Sequence, residues 1–98
     1  MQLSELLKQK REKKQLLMRE VASLVDVDTA IISKIEKGDR RPTKEQLLKY
    51  ATALDIDYNK LLTLWYSDKI YHEIKEESLA LKILKVAEKR IKQELKNT

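Results

Sequence analysis

The stretch Met18-Arg19-Glu20-Val21-Ala22-Ser23-Leu24-Val25-Asp26-Val27-Asp28-Thr29-Ala30-Ile31-Ile32-Ser33-Lys34-Ile35-Glu36-Lys37-Gly38 decides the fold. Its opening half puts Val21, Ala22, Leu24 and Val25 on one side of a helix that begins near Met18. The pattern breaks at Asp26, and aspartate tolerates a left-handed backbone better than most residues. Asp28 then suits the N-cap of a further helix, because its carboxylate can accept from the free amides of the first turn. That helix is predicted over residues 29–37, with Ile32 and Ile35 facing inward, and it stops at Gly38, the only glycine in the chain. Two helices with so short a turn let the first brace the second, which then presents its N-terminal side chains outward. A DNA-reading helix-turn-helix needs that arrangement, yet many all-α proteins contain it without binding DNA.

Working outward, Leu3, Leu6 and Leu7 form the apolar stripe of a first helix that starts near Ser4, with the basic run Lys8 to Lys14 turned to solvent. Asp39-Arg40-Arg41-Pro42 reads as an exposed loop. Thr43 and Gln46 have the spacing of a capping box for a fourth helix, whose buried side is expected to be Leu47, Leu48, Ala51 and Leu54. Asp55-Ile56-Asp57 repeats the order of Asp26-Val27-Asp28: a turn, an apolar plug and an acidic cap. A fifth helix from Tyr58 carries Leu61, Leu62, Leu64 and Trp65. Beyond it, Ile70 and Ile74 mark a separate short helix over roughly residues 67–76, and Ser78 is expected to cap a last one. In that last helix Ala80, Leu84, Ala87, Ile91 and Leu95 recur at near-heptad spacing for about two heptads.

Bulk composition agrees with an all-α chain. Of 98 residues, 42% are apolar and 38% charged, with one Gly and one Pro, so little interrupts helices. No cysteine is present, which excludes disulfides and thiolate metal sites and suits a reducing cytoplasm. No apolar run could span a membrane, and Met1 leads into a charged helical pattern without the apolar core of a signal peptide. The net charge of +5 is spread over the chain rather than gathered in a tail, so it only mildly favours an anionic partner. His72 stands alone in a charged helical stretch, and no Gly-rich phosphate loop exists; an enzyme, a metal and a cofactor are all unexpected.

The specific signal is the wording. Arg19-Glu20-Val21-Ala22, Asp26-Val27-Asp28, Ile32-Ser33-Lys34-Ile35-Glu36-Lys37-Gly38 and Arg41-Pro42-Thr43 together closely resemble the lambda-repressor-like (Cro-like, XRE) helix-turn-helix family. The resemblance runs over about residues 3–66 and continues through Leu47 to Leu54, Asp57 and Leu61-Leu62. It implies a five-helix lambda-repressor-like domain over 1–66, followed by one or two C-terminal helices in an extension over 67–98. It further implies a cytoplasmic, sequence-specific regulator of transcription, expected to be a repressor, that binds double-stranded DNA through residues 29–37. Thr29, Ala30, Ser33 and Lys34 would stand at the base edges, where Lys34 can donate to guanine, Thr29 donate or accept, and Ala30 touch a thymine methyl. Lys34 is equally suited to a phosphate, and Ile31 either meets a thymine methyl or covers the first turn. Arg40 and Arg41, with Lys37 and Lys44, are the expected phosphate contacts. Many relatives place a Ser or Thr cap and then a phosphate-contacting Gln where this chain has Leu17 and Met18, which shifts that role to Arg19. Glu36 is expected to pair with a basic residue of the first helix, for which Arg11 is the candidate.

A single module of this kind covers little DNA, and a two-fold dimer reading two half-sites is the usual remedy. Leu84, Ala87, Ile91 and Leu95 supply a candidate dimer interface, with Trp65 and Ile70 at its root; the same residues could instead pad the domain's own core. A rival reading is an antitoxin-like or adaptor protein whose tail binds a toxin or an enzyme. With no ligand-sensing domain in the sequence, no small-molecule ligand is expected, and the operator itself is not legible.

Overall fold

The computed structural model describes residues 1–97. Six helices follow in order: α1 (Leu3–Lys13), α2 (Met18–Val25), α3 (Thr29–Glu36), α4 (Lys44–Leu54), α5 (Tyr58–Ile74) and α6 (Ala80–Lys96). Among the described residues no strand occurs.

The helices end where the chain can turn left-handed. Gln15, Asp26 and Asp55 adopt positive φ (58°, 64° and 55°) just past α1, α2 and α4, and Gly38 (81°) does so past α3. Each end is then closed by the same long backbone bond. Leu16 donates to the Arg11 carbonyl, Val27 to Ala22, Asp39 to Lys34 and Ile56 to Ala51, at 2.9–3.1 Å. This closure satisfies carbonyls that would otherwise lack partners, and it favours an apolar residue just past the left-handed one. Leu16, Val27 and Ile56 fill that place and pack on the core. Past α3 the residue is the exposed Asp39, so the chain there leaves the core instead of returning to it.

Helix starts are less uniform. At α4 the capping box forms as the sequence predicts: Gln46 N–H donates to Thr43 Oγ1 (3.1 Å), and Thr43 N–H donates to Gln46 Oε1 (3.0 Å). At α2 only the return half is possible, since Leu17 offers no acceptor, and Leu17 N–H donates to Glu20 Oε1 at 2.9 Å. Asp28 occupies the N-cap of α3, but its side chain makes no capping hydrogen bond; its contribution is a negative charge at the positive end of the helix. The start of α1 is served from far along the chain, where Asp68 Oδ2 accepts from Leu3 N–H at 3.4 Å.

The chain divides into two compact units, Met1–Asp68 and the residues from Lys69 onward, with the boundary inside α5. In the first unit the core is built from Leu7, Val21, Val25, Ile32, Ile35, Leu47, Tyr50, Leu54 and Leu61, all essentially inaccessible to water. Two expectations fail here for one reason. Leu24 and Leu48, expected inside, are 55% and 54% exposed. On α4 the stripe at spacings of three and four is Leu47, Tyr50, Ala51 and Leu54, so Tyr50 takes the inner place and Leu48 falls outside it. Likewise α2 buries Val21, Ala22 and Val25 and turns Leu24 outward. The Tyr50 hydroxyl is buried without a hydrogen-bond partner, and burial raises its pKa well above the ordinary tyrosine value.

Arg11 and Glu36 pair as the sequence predicts. Arg11 Nε and Nη2 donate to the two Glu36 carboxylate oxygens at 2.7 and 3.0 Å, and Nη1 donates to the Leu16 carbonyl at 2.8 Å. One guanidinium thereby joins α1, the α1–α2 connection and the end of α3. The bond to Glu36 raises the Arg11 pKa, against the opposing effect of burial.

In the second unit the expected separate helix over 67–76 does not exist. Nothing near Ser67 breaks a helix, and α5 runs unbroken to Ile74 before turning through residues 75–79. Ser78 is not the cap of the last helix, because tight bonds from Glu77 N–H to Ile74 and from Ala80 N–H to Glu77 carry the chain past it; Leu79 holds the N-cap position without a side-chain bond. None of the residues of α6 is buried.

Candidate nucleic-acid interface

The inward face of α3 fixes what its outward face can be. Ile32, Ile35 and Glu36 are buried, and at about 100° per residue the opposite direction passes through Ala30, Lys34 and Lys37. Ser33 and then Thr29 lie to one side of that line, Thr29 toward the edge of the buried face. Thr29, Ala30 and Lys34 are exposed, while Ser33 and Ile31 are half-buried. The helix is held at both ends: by the turn at Asp26 on one side, and by the Glu36–Arg11 pair and the Gly38 closure on the other. The result is a short rigid rod whose free side is small, polar and basic.

The connection to α4 extends the basic surface. Lys37 caps α3, Arg40 and Arg41 stand exposed in the loop, and Lys44 opens α4. Arg19, at the second position of α2, is also exposed. Among the described residues Arg19, Lys37 and Arg40 form no ion pair. Pro42 is buried and anchors the loop between two arginines and a cap.

Two residues that the sequence did not mark as part of this surface support it. Trp65 Nε1 donates to the Pro42 carbonyl at 2.6 Å. The Arg41 guanidinium and the Lys44 ammonium each lie 5.7 Å from the centre of the Trp65 ring, and Lys44 lies 4.6 Å from that of Tyr66. The two rings meet edge to face at 4.9 Å. Contact with Tyr66 also raises the Lys44 pKa. The structure thus gathers Arg41 and Lys44 around one aromatic pair, whereas Arg19 and Arg40 stand apart from it. A tryptophan one helix turn beyond Leu61 reads as core; nothing in local spacing says that its N–H reaches a loop 23 positions earlier.

The residues expected at a dimer interface lie in the second unit. Leu84, Ile91 and Leu95 are 40%, 61% and 70% exposed, and Ala87, Ile91 and Leu95 share one exposed apolar face of α6. A Glu88–Lys92 ion pair of 2.8 Å lies beside it and displaces the pKa of each partner in favour of its charged form. Among the described residues no group of His, Asp and Glu is arranged to hold a metal, and no helix is long and apolar enough to cross a membrane.

A braced helix with a polar outer face, followed by a basic loop, defines a helix-turn-helix module of the DNA-binding kind. Residues 7–61 match the profile of the helix-turn-helix family HTH_3, and the chain belongs to that family. Among solved structures it is similar to the restriction-modification controller protein C.AhdI from Aeromonas hydrophila. The two share 32% sequence identity with a TM-score of 0.57, over 60% of this chain and 89% of that one. No curated protein matches the sequence. The lambda-repressor-like expectation therefore holds: this is an all-α DNA-binding regulator of transcription, not an enzyme.

Proposed function

We propose that the protein is a cytoplasmic, sequence-specific repressor that binds two operator half-sites as a homodimer. In this reading α3 enters the major groove. Thr29, Ala30, Ser33 and Lys34 address base edges, while Arg19, Lys37, Arg40, Arg41 and Lys44 hold phosphates. Residues 1–66 act as the DNA-binding domain, and residues 67–98 join two copies through Leu84, Ala87, Ile91 and Leu95. The observation that carries the reading is the two-sidedness of α3: Ile32 and Ile35 are 0% and 1% exposed, and the face opposite them leads straight into an arginine loop. The likeness to a restriction-modification controller supports a role in transcriptional control.

Selection from random duplexes at two salt concentrations tests this. The expected product is a palindrome with half-sites about one helical turn, roughly 34 Å, apart, bound with an affinity that falls steeply with salt. An unenriched pool, with weak binding even at low salt, would overturn it. The exposed apolar side of α6 favours one second reading, in which the tail holds a toxin or an enzyme. A stoichiometric second protein that co-purifies, and stays bound when Lys34 and Arg41 are neutralised, would replace the homodimer with that complex.

A further inference from the structure

Arg41 and Lys44 are long, flexible cations, and freezing two of them at a DNA strand costs conformational entropy that weakens binding. In this molecule they do not start free. The Pro42 carbonyl between them accepts the Trp65 indole N–H at 2.6 Å, and both cations lie against the Trp65 ring. Lys44 is held further by Tyr66. A guanidinium over an aromatic face keeps its edge N–H groups available, and an ammonium keeps its donors that point away from the ring. Both cations are also solvent-exposed, so the rings orient them without hiding them.

We propose that Trp65, assisted by Tyr66, is the positioning residue of a phosphate clamp: one indole pins the loop at Pro42 and holds Arg41 and Lys44 ready for adjacent phosphates of a DNA strand. The proposal rests on the DNA-binding reading above and adds to it a residue that touches no DNA. It assigns α5 a part in affinity and none in sequence choice, because the groups it orients meet phosphates and not bases. Trp65 is also the only tryptophan in the chain, so its fluorescence reports on the clamp directly.

The test measures the salt dependence of duplex binding for the wild type, Trp65→Leu, Trp65→Phe, the double variant Arg41→Gln/Lys44→Gln, and the triple combination with Trp65→Leu. Each additional phosphate contact steepens the slope of log K against log salt by about 0.9. Trp65→Leu is expected to lower that slope by about one to two, with the selected sequence unchanged. Trp65→Phe keeps a smaller ring and loses the N–H, so it should fall between. On this proposal the indole reaches DNA through those two cations, so the triple variant should lose no more affinity than the double. Without DNA, Arg41→Gln/Lys44→Gln should shift the Trp65 emission. Circular dichroism melts identify any variant that has lost its fold, and Trp65→Phe then carries the test. An unchanged slope in a folded Trp65 variant, or a Trp65→Leu loss that adds fully to the double variant's, would overturn the proposal while leaving DNA binding intact. Failure of the wild type to bind any duplex would instead remove the DNA reading, and this clamp with it.

Discussion

The helices of residues 1–68 and α6 carry similar apolar stripes, and the two stripes meet opposite fates. In α4, Leu47, Tyr50, Ala51 and Leu54 recur at helical spacing and all are buried. In α6, Leu84, Ala87, Ile91 and Leu95 also recur at helical spacing, and all are exposed. Amphipathic periodicity therefore says only that a helix has an apolar side; what covers that side depends on which other surfaces are near it. The difference can be broken from either end.

The largest effect is expected where the first unit commits a charge to its interior. Glu36→Ala leaves the Arg11 guanidinium, only 12% exposed, without its partner. Loss of one member of such a pair costs about 3–5 kcal/mol, which chemical denaturation would read as a much lower midpoint at unchanged slope. Gly38→Ala should cost less. The nearest atom to an added methyl is Ser4 Oγ at 3.6 Å, so space is adequate and only the positive φ of 81° is penalised, by about 1 kcal/mol in a thermal melt. The smallest effect on folding is expected in the tail. Leu84→Asp together with Ile91→Asp should change the intrinsic stability of the first unit by less than about 0.5 kcal/mol. On the homodimer reading the same pair halves the mass seen by light scattering; an unchanged dimer would place the interface elsewhere.

Much of the first unit was legible because its signals are local. Thr43 and Gln46 cap each other across one turn, Gly38 takes a backbone conformation that few other residues tolerate, and Asp26 and Asp55 stop their helices in the same way. The outer face of α3 was legible for a related reason, since Ile32 and Ile35 leave one direction for Ala30 and Lys34. Errors came where a choice among apolar residues needed a partner surface. Leu24 and Leu48 looked as good as their neighbours, and nothing local ranked Tyr50 above Leu48. The expected break near Ser67 fails similarly, because the apolar pattern changes there while no residue stops the helix.

What the sequence by itself determined was the class: a capped pair of helices with a short turn, a glycine stop and an arginine loop, written in wording specific enough to name the family. Backbone conformation and capping act over a few residues, so they can be read in order along the chain. Only the tertiary structure decided which long-range partners complete it. Asp68 serves the start of α1, Arg11 spans three segments, and Trp65 reaches back to Pro42 and gathers two cations. Those contacts join positions 23 to 65 residues apart in the longest cases, and no local propensity specifies them. They exist because packing the buried side chains of the first unit into one core brings distant polar ends within reach of one another.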